Sequence, residues 1–97
     1  MKLSKRLATI AALVPPGSRL ADIGTDHAYL PLYLVTEGIV PFAVAGEVNR
    51  GPFLAAGEAL ARVGLEGTVS LRFGNGLEVL APDEVDTVVI AGMGGPT

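Results

Sequence analysis

The sequence has no cysteine, no tryptophan and a single histidine among its 97 residues. Disulfides, thiolate zinc sites and cysteine nucleophiles are therefore excluded, and so is a metal site built from several histidines. Charge is sparse, at 18% of residues, and seven Lys and Arg stand against ten Asp and Glu for a net charge of −3. Such a body has no bulk electrostatic affinity for nucleic acid, so any RNA contact has to be local. Long apolar runs are missing too. No stretch approaches the roughly 18 residues that span a bilayer, and the segment after Lys2, Lys5 and Arg6 lacks the continuous apolar core of a signal peptide. The expectation is a soluble, cytoplasmic protein with neither membrane nor metal partners.

What is present is apolar: 49% of the residues are hydrophobic, and the mean hydropathy is +0.50. That composition buries too much surface for a disordered chain. A βα unit needs about 30 residues, so the length admits roughly three of them, about half of a doubly wound sheet.

Leu3, Leu7, Ile10 and Leu13 or Val14 recur at three- and four-residue steps, which predicts an amphipathic helix over 3–14, stopped by Pro15, Pro16 and Gly17. Arg19 to Ile23 predicts a short strand. Gly24 opens a turn into a helix from about Ala28 to Glu37, closed by Gly38. Phe42 to Glu47 is a second strand. After Gly51 and Pro52 a third helix is expected from Phe53 to Val63, ending at Gly64. Val69 to Phe73 and Asp86 to Ala91 supply two more strands, and the run Thr87 to Ala91 has the apolar character of a central parallel strand. Strands alternating with ten-residue helices imply a parallel α/β layered domain.

In open α/β sheets ligands bind beyond the carboxyl ends of the strands, and all four ends here are marked. The first reads Ala21-Asp22-Ile23-Gly24-Thr25-Asp26-His27-Ala28, the second Ala45-Gly46-Glu47-Val48, the third Gly74-Asn75-Gly76, and the fourth Ala91-Gly92-Met93-Gly94-Gly95. Gly24 lets a nucleotide-like ligand approach the backbone. Glu47, 23 residues further on, offers an acceptor pair for vicinal ribose hydroxyls at close to the spacing of about 20 expected of a ribose-binding acid. Either residue alone is better read as a tight turn or a solvated carboxylate; together, in register, they favour a site. Asp26 occupies the position where a dinucleotide fingerprint needs its second glycine, and a carboxylate there repels pyrophosphate. It suits a ligand with a cationic middle, as in the ammonium and sulfonium groups of S-adenosylmethionine, and it disfavours NAD.

Taken together, Leu3-Ser4-Lys5-Arg6-Leu7, the segment Ala21 to Pro31, Ala45-Gly46-Glu47-Val48, Gly74-Asn75-Gly76-Leu77 and Ile90-Ala91-Gly92-Met93-Gly94-Gly95 resemble the bacterial tRNA (adenine-22 N1)-methyltransferase family over nearly the whole chain. The resemblance implies a Rossmann-like class I methyltransferase domain with flanking helices, its sheet incomplete and in the order 3-2-1-4. It implies S-adenosylmethionine as methyl donor and N1 of an adenosine in tRNA as acceptor. It places Asp22, Gly24 and Asp26 around the methionine end of the cofactor, Glu47 and Val48 at the ribose side, Asn75 and Gly76 beside the adenine, and Ala91, Gly92 and Met93 near the transferred methyl. Asn75 stands where the family is expected to carry aspartate, which exchanges a charged acceptor for an amide oxygen. Members of that family continue through further strands and a helical extension, so residues 1–97 are expected to form the N-terminal portion of one domain, inactive alone and able to self-associate through an exposed fourth strand.

Methylation at N1 uses an in-plane lone pair and needs no general base. Proximity and electrostatics carry it, with Asp26 contributing to the field and Tyr29 offering an aromatic face to the target base. The plainer reading has His27 at a helix start and Tyr29 packed in its first turn, with Lys2, Lys5 and Arg6 on a solvated face. Outside the enzyme class, the chain is a truncated, non-catalytic nucleotide-binding or self-associating module.

Overall fold

In the computed structural model, which describes residues 3–25 and 28–90, the first helix, α1, spans Lys5–Leu13. Ser4 caps it by accepting the Leu7 amide on Oγ at 3.2 Å, which satisfies one of the unpaired donors of the first turn. Val14, extended ahead of Pro15, ends it because a residue before proline avoids the helical region. Of the two residues the spacing left open, Val14 turns inward, whereas Leu13 is 77% exposed.

Strand β1 (Arg19–Ile23) is followed by α2 (Tyr29–Thr36), β2 (Phe42–Glu47), α3 (Arg50–Arg62), β3 (Val69–Phe73), a single 3₁₀ turn at Gly76–Val79, and β4 (Thr87–Val89). Leu30, Pro31, Leu32 and Leu34 of α2 are all buried, as befits a helix apolar on most of its circumference. Helices α2 and α3 stop at the expected glycines. Ile39 and Gly38 donate to Leu34 and Val35 at 2.9 and 3.1 Å, and Leu65 and Gly64 donate to Leu60 and Ala61 at 3.0 and 3.2 Å. Both glycines are left-handed, at φ 74° and 72°, which makes each end a Schellman motif.

The four strands are parallel and stand in the order β3-β2-β1-β4, as the resemblance implies. On one face Leu20, Ala43, Ala45 and Val69 pack with Ala11, Val14, Leu30, Leu34, Ala56 and Leu60 from all three helices. On the other, Ala21, Ile23 and Val44 are covered by Phe42, Val79, Leu80 and Val85. The β3–β4 connection therefore supplies most of the second layer among the described residues.

Every helix and the fourth strand are bounded differently from the sequence reading, by one to three residues at each end. Helix α3 begins at Arg50, not Phe53. Pro52 falls third in the helix, still inside the first turn where its missing N–H has no intrahelical partner to lose. Strand β4 is confined to Thr87–Val89. Asp86 instead brackets the start of β1, accepting the Arg19 amide on Oδ1 at 3.0 Å and donating its own amide to the Arg19 carbonyl at 3.0 Å; Ala91 lies outside the described residues. The apolar run expected of a central strand sits at the edge of the described sheet, paired with β1, and leaves Val88 and Ile90 exposed. No helix among the described residues is long and apolar enough to cross a membrane.

Candidate functional site

The carboxyl ends of β1, β2 and β3 converge through backbone hydrogen bonds. Gly24, at φ 77°, turns the chain out of β1, and the amides of Gly24 and Thr25 both donate to the Gly46 carbonyl, at 2.8 and 3.0 Å. The Gly74 amide donates to the Glu47 carbonyl at 3.0 Å. The turns that carry Asp22 and Asn75 are thus both tied to the last two residues of β2.

Asp22 registers with Ala45, two residues before Glu47, and side chains two apart on a strand share a face. Both carboxylates therefore stand on the same side of the sheet, and both are buried, Asp22 at 4% exposure and Glu47 at 6%. Burial pushes the Asp22 carboxyl up from the usual 3.8 to about 6; a hydrogen bond from Thr25 opposes the rise, and the nearby Glu47 charge adds to it. Thr25 makes that bond from Oγ1 to Asp22 Oδ2 at 2.9 Å. Glu47 folds back on its own chain: Oε2 accepts the Val48 and Asn49 amides at 2.9 and 2.8 Å. Both bonds use one oxygen, so Oε1 remains available to a ligand hydroxyl.

Around this pair the remaining candidates divide. Val48 is exposed beside Glu47, and Asn75, also exposed, precedes the 3₁₀ turn that Gly76 begins. Leu77 presents a second exposed apolar side chain on that turn. Tyr29 starts α2 with its side chain partly in solvent, directly after Ala28, a non-glycine residue held left-handed at φ 58°. Lys5 and Arg6 are exposed on α1. Asp26, His27, Ala91, Gly92 and Met93 lie outside the described residues. Among the described residues no group of three or more His, Asp and Glu is arranged to hold a metal ion.

A family model for a methyltransferase domain matches residues 3–97. The chain belongs to the methyltransferase domain family. It is 50% identical, over 98% of its own length and 40% of the relative's, to the tRNA (adenine(22)-N(1))-methyltransferase of Bacillus subtilis. The crystal structure of the B. subtilis M1A22 tRNA methyltransferase TrmK superposes with a TM-score of 0.89 at 48% identity, covering 92% of this chain and 38% of that one. The M. capricolum TrmK, in complex with S-adenosyl-homocysteine, superposes at 0.85 with 39% identity over 93% of this chain and 41% of that one. This methyltransferase domain thus spans about 40% of the length of these relatives.

Sequence reasoning quoted Thr25 within the first motif without giving it a task. Its task is to hold the Asp22 carboxyl, and the signal was present as a hydroxyl three residues after an acid at a strand end. Because the folded Asp22 titrates near 6 and the unfolded one near 3.8, the folded chain binds the extra proton. That contribution to stability is fully present below the lower value and is lost as pH rises through the upper one. Asp22→Asn is expected to flatten the pH dependence of urea unfolding between about pH 4 and 7 and to raise stability at pH 7.5 by roughly 1–3 kcal/mol. An unchanged pH slope contradicts the assignment.

Proposed function

We propose that this chain binds S-adenosylmethionine at the carboxyl ends of its strands and forms the N-terminal portion of the catalytic domain of an enzyme that methylates N1 of an adenosine in tRNA. The observation that carries the reading is the buried pair: Asp22 below the glycine turn, and Glu47 on the neighbouring strand with Oε1 unspent. A carboxyl poised near 6 is suited to an ammonium group, which would favour its ionised form. Asp26, standing where a dinucleotide fingerprint needs its second glycine, disfavours a pyrophosphate, so NAD fits poorly.

In this reading Asp22, Gly24 and Asp26 hold the methionine moiety. Glu47 accepts the ribose hydroxyls. Val48 borders the ribose side next to Glu47, and Asn75 and Gly76 stand beside the adenine. Ala91, Gly92 and Met93 border the reacting methyl. S-adenosylmethionine supplies an electrophilic methyl group on a sulfonium, and adenine N1 supplies a lone pair, so the protein moves no proton before attack. Its work is to unpair the base and to align N1, and the product's positive charge is met by the acidic field of Asp26. Tyr29 offers the base an aromatic face. A tRNA substrate supports a cytoplasmic location.

The 50% identity to a tRNA (adenine(22)-N(1))-methyltransferase supports the choice of tRNA over other acceptors. Glu47→Ala is expected to weaken binding of S-adenosylhomocysteine by roughly 1–3 kcal/mol, the loss of charge-assisted bonds to two hydroxyls. Calorimetric titration measures it, with circular dichroism to verify the fold. Equal affinity in the variant, or NAD binding as tightly as S-adenosylhomocysteine, contradicts the reading.

The exposed edge of β4 supports a second proposal, that two copies of this 97-residue chain pair there. Thr87–Val89 bonds β1 along one side, and Val88 in it and Ile90 just after it are exposed, a template for another strand. Light scattering is expected to report species larger than a monomer, reduced by Val88→Lys; a monodisperse monomer at all concentrations contradicts it.

A further inference from the structure

The connection between β3 and β4 carries a set of contacts that the proposed cofactor site does not itself use. Arg72, next to last in β3, donates from Nη1 to the Val79 carbonyl at 2.8 Å and from Nη1 and Nη2 to the two oxygens of Glu84 at 2.7 and 2.5 Å. Its Nε donates to Ser70 Oγ at 3.1 Å. Glu84 Oε1 also accepts the Ala81 amide at 3.0 Å. A guanidinium bound by both ends of a carboxylate is fixed in plane as well as in position.

The guanidinium holds the backbone of Val79, and the Val79 side chain presses on two glycines. A Cβ at Gly46 would lie 3.0 Å from Val79 Cγ2, and one at Gly74 would lie 2.7 Å from Cγ1. Each of these glycines immediately precedes a residue assigned to the ligand, Gly46 before Glu47 and Gly74 before Asn75. The Gly74 amide bond to the Glu47 carbonyl joins the two segments. Valine is stiff at χ1, so its two methyl groups hold a defined spacing.

We propose that Arg72, Glu84 and Val79 are positioning residues that set the separation between the ribose acid Glu47 and the adenine turn at Asn75–Gly76, and thereby the affinity for an adenosine-bearing ligand. The proposal rests on the cofactor assignment of Glu47 and Asn75. The ion pair is partly exposed, at 28% and 23% for the two side chains, so its contribution to global stability is small. Its consequence is geometric. Arg72 holds the Glu84 carboxyl down to about 2, so the pair stays ionised wherever binding is measured.

The test titrates the 97-residue chain with S-adenosylhomocysteine and with 5′-methylthioadenosine, which shares the adenosine and lacks the amino-acid end. Arg72→Ala and Val79→Ala are each expected to raise both dissociation constants by about tenfold. The double variant is expected to be no weaker than either single one, because both act through one wedge, and Val79→Ile is expected to stay near the parent. A change below twofold in the single variants, or additive losses in the double, overturns the proposal. Should Arg72→Ala fail to fold, Val79→Ala decides. Should the parent chain bind neither ligand, the cofactor assignment is what fails. The positioning role is then read from amide exchange at Gly74, which rises in Val79→Ala if the wedge holds the turn and stays unchanged if it does not.

Discussion

Two carboxylates buried on one face of adjacent parallel strands repel each other, and the geometry of the strand ends follows from how that repulsion is managed. Asp22 moves toward the neutral form because burial and the Glu47 charge both oppose its ionisation. Glu47 spends one oxygen on the Val48 and Asn49 amides, and the same bonds turn the chain from β2 into α3. Thr25 occupies one oxygen of Asp22 and so fixes the turn that begins at Gly24. Each carboxylate retains an oxygen for an incoming group. Buried like charges without such partners would cost several kcal/mol; here they form a pair of acceptors at the strand ends that a cation and a diol can complete.

Strand β2 is the hub of this arrangement. The Gly46 carbonyl receives the turn after β1, and the Glu47 carbonyl receives the turn after β3. The glycine at 46 admits Val79 from the opposite face. One pair of residues thus links the turn assigned to the methionine end, the acid assigned to the ribose and the turn assigned to the adenine. Among the described residues, helices cover one face of the sheet and the clamped β3–β4 connection covers most of the other, so the buried pair is supported from both layers.

Much of this was legible in the sequence because the deciding signals are local. The glycines at 38 and 64 end helices by a backbone rule, and the alternation of short apolar strands with helices implies parallel pairing, the order 3-2-1-4 being what the resemblance implies. Glu47 stood out by its spacing from Gly24, and Asp22 and Asp26 by flanking that glycine turn. What escaped was long-range. Nothing in Arg72 or Glu84 alone, twelve residues apart, marks them as partners, since a charged residue in a strand and another in a loop ordinarily read as solvated. The start of α3 was misplaced because Gly51 and Pro52 were read as lying ahead of the helix, whereas the Glu47 carboxylate had already turned the chain. The apolar run at Thr87 was read as central from its composition, whereas the order 3-2-1-4 implied by the resemblance already put that strand at the edge, where the structure finds it.

The most direct test of the buried pair is the ionisation of Asp22 itself. Carbon-detected NMR titration of its carboxyl, in the free chain and with saturating S-adenosylhomocysteine, reports the group without reliance on activity. In the free chain the midpoint is expected at about 6, and the ligand's ammonium is expected to pull it down by stabilising the carboxylate. An ordinary midpoint near 3.8 in the free chain, or one near 6 that the bound ligand leaves unmoved, would contradict the assignment of this pair.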